Sequence, residues 1–366
     1  MRSDMPLERA NAFCARFRLR VPVLLAPMAG VPATKLSIAV ANAGGMGACG
    51  ALTMSPHEIE DWSAAVRAAT TGPFQLNLWI PDPPPRRDEA REAAVRDFLA
   101  PWSPPPSAQR SPPALPDFAE QCRALLTITP AVVSSVMGLY PPMFVNELKS
   151  RGIAWFATVS TVAEARAAVA AGADAIIAQG AEAGGHRGAF DASAAEQALV
   201  GLFSLLPAVV DAVDVPVVAT GGIADGRGVA AALLLGASAV QIGTGFLRSP
   251  EAGIHPAWAA ALAETMPEQT RVSRVFSGRA GRSIATEYVR AATAVDAPPP
   301  APYPIQRALT SAMRAEAVRR GDVQRMQAWA GQSAALALPL PADEILTILW
   351  RDARALLDSS RTPASE

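Results

Sequence analysis

This 366-residue sequence predicts an α/β barrel of eight strand–helix units, and three observations support that fold. Short apolar runs, typical of strands buried in a parallel sheet, recur along the chain. Alanine-rich stretches with helical spacing lie between them, and several end in glycine, the usual residue just past a helix. Eight such alternations favour a closed (β/α)8 TIM barrel over an open sheet. The predicted strands are Val23–Ala26, Met46–Ala48, Phe74–Leu78, Ala131–Val136, Ala154–Thr158, Ala175–Ala178, Pro216–Ala219 and Ala239–Ile242.

Two segments interrupt the alternation. Residues 81–117 are proline-rich around a charged helical stretch, Arg86–Leu99, and are predicted to be an elaborated loop after the third strand. This loop is either a surface excursion or a lid that faces the substrate. The predicted units are a barrel with the ligand site at 1–248, a mainly helical insertion at 249–334, and a closing barrel helix (Asp343–Leu357) with a tail at 335–366.

The composition narrows the possible partners and location. Lysine and arginine number 32 against 33 acidic residues, so no nucleic-acid or membrane-surface partner is expected. There is no N-terminal apolar signal segment and no run of about 18 apolar residues. Three cysteines without metal-ligand spacing favour a reducing compartment, and we expect a cytoplasmic protein. The sequence does not specify the oligomeric state.

The scarcity of lysine and histidine excludes two kinds of barrel enzyme. Lys35 and Lys149 both fall in helical stretches, whereas a barrel aldolase needs a Schiff-base lysine at the carboxyl end of a strand. No two of the three histidines have metal-ligand spacing, so no metal is expected. With these two classes of enzyme excluded, we expect a ligand that is anchored by its phosphate over the barrel mouth.

One glycine motif is misleading. Gly45 to Gly50 match the G-x-G-x-x-G pattern of dinucleotide-binding folds. In that motif the glycines follow a strand and open a helix, but here a helical stretch precedes them and a strand follows. A nucleotide site at this position is therefore not expected, and Cys49 within it is interpreted as a small buried residue.

The loops after the seventh and eighth strands predict a phosphate site. Gly221 and Gly222 follow the seventh strand, and the eighth closes on Gln241-Ile242-Gly243-Thr244. In TIM barrels these two loops commonly bind phosphate, because glycines let backbone N–H groups point at the oxygens. Asp225 is predicted to cap the following helix rather than to bind a ligand.

Other polar or soft side chains lie at strand ends on the same face of the barrel. Asn77 and Gln179 end apolar strands, and Met28 follows the first strand in a turn between Pro27 and Gly30. Each has an alternative role, a structural hydrogen bond for the amides and packing for Met28. Their convergence on one face favours a binding site.

His186 is the candidate for chemistry. It lies in Gly184-Gly185-His186-Arg187-Gly188, directly after the sixth strand. An imidazole titrates near neutral pH, and glycine neighbours let the backbone approach a ligand closely. The alternative is a histidine buried in the core. Arg187 is open to a simpler role, pairing with a neighbouring carboxylate.

Taken together, these motifs resemble the nitronate monooxygenase family, formerly called 2-nitropropane dioxygenases. The likeness extends from about residue 20 to the Trp329-Ala330-Gly331-Gln332 element. The matching motifs are Ala26-Pro27-Met28-Ala29-Gly30, Asn42-Ala43-Gly44-Gly45-Met46-Gly47, Glu182-Ala183-Gly184-Gly185-His186-Arg187-Gly188, Ala219-Thr220-Gly221-Gly222-Ile223 and Gln241-Ile242-Gly243-Thr244.

The resemblance implies non-covalent FMN and oxidation of alkyl nitronates, such as propionate 3-nitronate, with O2 to a carbonyl product and nitrite. His186 would be the catalytic residue, either as a base for a neutral nitroalkane or as an anchor for the nitronate. The FMN contacts implied by position are Met28, Asn77, Gln179, Gly184, Gly222, Gln241, Ile242, Gly243 and Thr244.

Other functions stay open at this point. An NAD(P)H-dependent FMN reductase of the enoyl-thioester or quinone type is compatible with the same motifs, and so is a flavin-free barrel that binds a sugar or nucleotide phosphate. The chain departs from the family pattern in its loop at 81–117 and in its proline-rich approach to Tyr303. Tyr303 is either a pocket residue or an interface or packing residue.

Overall fold

The computed structural model describes residues 5–31, 33–104 and 115–359. Eight parallel strands with helices outside them form the predicted TIM barrel, which is confirmed. The barrel strands are β1 (Val23–Leu25), β2 (Gly47–Gly50), β3 (Phe74–Trp79), β4 (Val132–Val136), β5 (Ala154–Val159), β6 (Ala175–Gln179), β8 (Val217–Thr220) and β9 (Ala239–Ile242). Three short strands outside the barrel are β7 (Gly185–His186), β10 (Thr270–Ser273) and β11 (Gly281–Ile284).

Fourteen α-helices occur in the part of the chain that the structure describes. Those up to the sixth barrel strand are α1 (Pro6–Phe17), α2 (Ala33–Asn42), α3 (Pro56–Ala69), α4 (Glu89–Leu99), α5 (Phe118–Ile128), α6 (Pro142–Ser150) and α7 (Val162–Ala170). The rest are α8 (Leu202–Ala212), α9 (Gly226–Leu234), α10 (Pro256–Glu264), α11 (Glu287–Ala292), α12 (Ile305–Leu309), α13 (Ser311–Arg320) and α14 (Ala342–Ser359). None of these helices combines the length and apolar character needed to span a membrane.

The strands are hydrogen-bonded in the order β1-β9-β8-β6-β5-β4-β3-β2. The barrel closes between β1 and the start of β2, where Leu25 N donates to Met46 O at 2.9 Å. Met46 itself forms only an isolated bridge, so the second strand begins one residue later than predicted and continues to Gly50. Carboxyl ends of all eight strands consequently meet at one barrel mouth.

The helix ends follow from their capping residues. Thr161 and Glu164 form a capping box at the start of α7, and Asp225 accepts a hydrogen bond from Gly228 N at 3.1 Å at the start of α9. The cap role predicted for Asp225 is confirmed. The closing helix α14 packs against α9 and contains the predicted Asp343–Leu357. Lys35 and Lys149 lie in α2 and α6, as predicted.

The segment after β9 contains more than the predicted helices. It includes α10 to α13, but also the antiparallel hairpin β10–β11. Strand β11 pairs with β7, with Gly281 opposite His186, so a three-stranded sheet joins this segment to the loop after β6. Each hairpin strand is only four residues long and the third strand is distant in sequence, so the apolar pattern carried no signal for it.

The proline-rich loop after β3 packs against the same segment. Val95 and Leu99 of α4 are buried in a cluster with Phe276 and Tyr288, and the ring of Trp102 lies 5.5 Å edge-on from that of Tyr288. The loop therefore packs on this segment through α4 and Trp102. Residues 105–114 of the loop and residues 360–366 of the predicted tail lie outside the described residues.

Candidate active site

A cavity of about 290 Å³ lies at the barrel mouth, where the strand ends converge. All ten residues predicted for the site line it. They are Met28, Asn77, Gln179, Gly184, His186, Gly222, Gln241, Ile242, Gly243 and Thr244. Sequence reasoning thus placed strand-end residues from five barrel strands and their loops in one cavity.

One side of the cavity is made of backbone. Gly221 and Gly222 follow β8 with φ of 109° and 71°, a left-handed region that favours glycine. Within the described chain the amides of Gly221, Gly222 and Gly243 donate no hydrogen bond. Thr244 Oγ1 accepts from Gly331 N at 3.0 Å, which ties the loop after β9 to the chain before α14. We call these residues, Gly221, Gly222, Gly243 and Thr244, the glycine cradle. Its free N–H groups suit an anion such as a phosphate.

The predicted amide side chains all make structural hydrogen bonds. Asn77 Nδ2 donates to Ser134 Oγ at 3.1 Å. Gln179 receives Gly188 N at 2.8 Å and donates to His186 O at 3.1 Å, so it shapes the loop that carries the histidine. Gln241 Oε1 accepts from Gln75 Nε2 at 3.0 Å. These bonds hold the side chains in place while leaving polar hydrogens or lone pairs for a ligand.

The imidazole of His186 is held on three sides. The indole rings of Trp79 and Trp329 contact it edge-on, with centroids 4.6 and 4.7 Å away. Nε2 lies 2.7 Å from Ser277 Oγ, and the backbone of His186 is fixed by pairing with β11. Trp79, Ser277 and Trp329 come from three distant parts of the chain, so the ring orientation is a tertiary property.

Ser277 determines which ring nitrogen carries the proton. Its Oγ accepts from Arg279 N at 3.2 Å and lies 3.1 Å from Arg279 O, an acceptor that takes its single proton. Oγ then accepts from Nε2–H of His186, and we assign that tautomer on this basis. The lone pair of the neutral ring is left on Nδ1, which is the atom able to accept a proton.

The surroundings of His186 keep it neutral. Burial lowers its pKa to about 3, because the charged imidazolium loses its hydration. Repulsion by the guanidinium groups of Arg279, Arg307 and Arg314 acts in the same direction. At neutral pH the ring is therefore an uncharged base or hydrogen-bonding group.

Arg279 supports this arrangement from behind. It is 2% exposed and makes two hydrogen bonds to the Asp82 carboxylate, at 2.8 and 2.5 Å. Asp82 belongs to the proline-rich loop after β3. The loop thus holds Arg279 in place. Arg279 in turn contacts Ser277, and Ser277 contacts His186.

Tyr303 is a pocket residue. Its ring lies 5.6 Å from that of Trp79, and its buried hydroxyl has no hydrogen-bond partner in the described chain. Burial raises the pKa of this phenol, so the hydroxyl stays protonated. It is a free donor aimed at the same cavity as His186.

Two other residues of the motif around His186 have structural roles. The Glu182 carboxylate accepts from Leu202 N at 2.8 and 3.0 Å, at the start of α8. Arg187 is 1% exposed and donates to Gly180 O and Gln179 O at 2.6 and 3.1 Å. The interpretation that Arg187 pairs with a carboxylate was wrong, because backbone carbonyls at the end of β6 are its acceptors. Cys49 is buried, and burial raises its pKa to about 12, which agrees with a packing role.

Several lining residues were not predicted for the site. Trp79, Ser277, Arg307, Arg314 and Trp329 all line the cavity. Trp79 ends the observed strand β3, one residue past the predicted end, and lies two residues after Asn77, so the same alternation places it on the mouth side. The other four lie beyond the barrel strands, where no sequence periodicity points inward. No group of three or more histidine, cysteine, aspartate or glutamate side chains in the described residues is placed to hold a metal ion.

Comparison with known proteins agrees with this geometry. A family model described as nitronate monooxygenase matches residues 12–352. A nitronate monooxygenase from Paraburkholderia phytofirmans is 37% identical over 346 residues, which are 93% of this chain and 94% of the relative. One from Pseudomonas aeruginosa is 37% identical over 357 residues, 94% of this chain and 99% of the relative.

Solved structures show the same relation. A nitroalkane oxidase from Streptomyces ansochromogenes is 35% identical with a TM-score of 0.87, covering 95% of this chain and 100% of that one. FabK from Thermotoga maritima is 27% identical with a TM-score of 0.74, covering 96% and 98%. The family match spans the barrel, the insertion and the closing helix together, and the chain therefore belongs to the nitronate monooxygenase family of flavin-dependent oxidoreductases.

Proposed function

We propose that the protein uses FMN to oxidise alkyl nitronates of the propionate 3-nitronate type with O2, giving a carbonyl compound and nitrite. One observation carries the proposal: a neutral, positioned histidine lines the same cavity as a cradle of free backbone amides. Membership of the nitronate monooxygenase family supports the same activity.

The residues present fit FMN. The unpaired amides of Gly221, Gly222 and Gly243 suit its phosphate, and an added side chain at Gly184 would meet Gly331 N at 2.5 Å, which indicates a tightly packed backbone wall. Asn77, Gln179 and Gln241 offer amide groups to the polar edge of a flavin ring, and Met28 offers a soft apolar surface. When bound, FMN would supply the redox chemistry, accepting electrons from the nitronate.

His186 and Tyr303 would handle the substrate. With Nε2–H donated to Ser277, the lone pair on Nδ1 is the one that would take the α-proton of a neutral nitroalkane, and the nitronate anion formed beside the ring would raise its low pKa by opposite charge. A substrate that arrives as the nitronate needs no such step, and His186 could donate a hydrogen bond to it only after taking up a proton on Nδ1. In both cases the protonated Tyr303 hydroxyl is placed to donate to the anionic nitro oxygens.

A second candidate, NAD(P)H-dependent FMN reduction, is favoured by one observation. A cavity of about 1050 Å³ adjoins the active-site cavity and has room for a second large ligand. The two candidates differ in the electron donor rather than in the flavin site.

One experiment separates them. The purified protein is examined for a flavin spectrum, then mixed anaerobically with propionate 3-nitronate and, separately, with NADPH. We expect a yellow protein whose spectrum is bleached by the nitronate and not by NADPH, and formation of nitrite once O2 is admitted. Failure to bind FMN would remove the flavoenzyme proposal, and rapid bleaching by NADPH alone would favour the reductase.

The location is part of the proposal. Cys14, Cys49 and Cys122 are all free and buried, which supports the reducing, cytoplasmic compartment expected from the sequence.

A further inference from the structure

The wall between the two cavities carries two arginines. Arg307 of α12 and Arg314 of α13 line both the active-site cavity and the outer cavity, together with Gln327 and Trp329. The glycine cradle lines only the inner cavity. The arginines thus lie where the inner cavity adjoins the outer one, and the glycine cradle does not.

Neither arginine has an acidic partner in the described chain. Arg314 donates to three neutral acceptors, Thr310 Oγ1 at 3.1 Å, Gln327 Oε1 at 3.0 Å and Arg307 O at 2.8 Å. The guanidinium of Arg307 makes no hydrogen bond or ion pair with described residues. By contrast, Arg279 is bonded to Asp82, and Arg319 and Arg320 are bonded to Glu316. Among the arginines that line the two cavities in the described chain, Arg307 and Arg314 are therefore the ones without an acidic partner.

The cavity supplies no counter-charge of its own. No aspartate or glutamate is among the described residues that line the inner cavity, and Glu316 in the outer one already bonds two arginines. Burial lowers the pKa of Arg314 to about 10, and the positive charge of Arg307 adds to the effect. A half-buried cation pair of this kind is destabilised until an anion binds.

The remaining donors suit a carboxylate. Arg314 uses three of its five N–H groups and keeps one on each Nη nitrogen, and Arg307 keeps all five. Planar guanidinium donors match the two oxygens of a carboxylate. Both charges also act on His186, so an anion held between them lies within electrostatic reach of the reacting end of the substrate.

We propose that Arg307 and Arg314 bind a carboxylate on the carbon chain of the substrate, and so make the enzyme select nitronates that carry this second negative charge. The inference rests on the proposed function. It assigns the nitronate end to His186 and Tyr303, and the far end to the wall between the cavities.

The test compares two substrates of matched shape. Propionate 3-nitronate and propyl-1-nitronate differ in having a carboxylate or a methyl group at the far end. In Arg307→Gln and Arg314→Gln we expect kcat/KM for propionate 3-nitronate to fall about 10- to 100-fold, mainly through KM, since each change removes charge-assisted hydrogen bonds. Turnover of propyl-1-nitronate should change by less than about 3-fold.

Three controls keep the result interpretable. Arg320→Gln removes a charge from the same helix, but that arginine is bonded to Glu316 and lines neither cavity, so it should not alter the substrate ratio. Arg314→Lys keeps the charge and should retain part of the preference. Thermal unfolding shows whether Arg314→Gln, which loses three hydrogen bonds, still folds; Arg307 has none to lose from its side chain.

A binding measurement separates this inference from the proposed activity. Anaerobic calorimetry of the FMN-loaded protein compares 3-nitropropanoate with 1-nitropropane, and we expect the wild type to bind the carboxylate about 10-fold more tightly or better. If both substrates lose turnover together in the arginine variants, or neither does, the carboxylate site is wrong. If no nitronate is turned over but carboxylate binding depends on both arginines, the proposed function fails and the site stands. If the variants instead weaken NADPH-dependent bleaching without changing carboxylate preference, the wall serves a dinucleotide and the inference is overturned.

Discussion

The two sides of the active-site cavity are built in different ways. The glycine cradle consists of backbone from two consecutive βα loops, with free amides and left-handed glycines. The other side consists of side chains, with His186 held by Ser277, Trp79 and Trp329, and Tyr303 beside Trp79. Backbone sites need only local chain geometry, whereas a side-chain site needs every supporting element to be in place. We therefore expect the cradle to govern cofactor affinity and the side-chain wall to govern turnover.

The largest effect should come from His186→Asn. Asparagine keeps a polar group but cannot accept a proton at neutral pH, so turnover of a neutral nitroalkane should fall about 100-fold or more. The cradle is untouched, so the flavin spectrum and FMN affinity should be retained. Steady-state kinetics measures the loss of turnover, and FMN titration measures the retained cofactor affinity. Unchanged turnover would remove His186 from the mechanism.

Breaking the cradle should have the converse effect. In Gly222→Ala the backbone at φ of 71° becomes strained by about 1 kcal/mol, and we expect FMN to bind about 10-fold more weakly. Gly152→Ala is the matched control, because Gly152 has φ of 67°, open space around an added Cβ, and a position outside the cavity. Both variants should lose similar stability, but only the first should lose FMN. Equal FMN affinity in the two would show that the cradle does not bind the cofactor.

Ser277→Ala tests how much the hydrogen bond to His186 contributes to turnover. It removes the acceptor for Nε2–H, so the ring loses its fixed tautomer, and we expect kcat for a nitroalkane to fall about 10-fold with little change in FMN affinity. Ser277→Thr keeps the hydroxyl and should recover most of the rate. A purely structural role would instead lower unfolding temperature and turnover in both variants alike.

The smallest expected effect concerns pH. The folded pKa of His186, about 3, lies below the value of about 6.5 for an exposed histidine, so the unfolded chain takes up this proton first. The stability contribution is therefore complete above about pH 6.5 and declines as the pH falls from there toward 3. Between pH 7.5 and 5.5, wild type should lose about 1 kcal/mol more of its unfolding free energy than His186→Asn, measured by urea titration. Identical losses would place His186 in a solvent-like environment.

In the proline-rich loop, the local elements were predictable from the sequence and their packing partners were not. Its position after the third strand and its central helix were predicted, and the choice between surface excursion and lid was left open. The structure gives residues 81–104 a different task, since α4 packs on Phe276 and Tyr288 and Asp82 bonds the arginine behind Ser277. Those partners lie nearly 200 residues away in sequence, and no local pattern records such a contact.

Local sequence patterns were enough to predict the barrel, the glycine cradle and the position of His186 at the barrel mouth. Strand runs, helix caps and glycines at strand ends are local signals, and barrel closure brings the carboxyl ends of parallel strands to one mouth whatever the rest of the chain does. The surroundings of the histidine, by contrast, depend on contacts between segments that are distant in sequence. The tautomer set by Ser277, the clamp of Trp79 and Trp329, and the unpaired charges of Arg307 and Arg314 arise where the insertion folds back over the mouth. Such contacts depend on packing between distant segments, and for that reason hydrophobic periodicity and short motifs do not encode them.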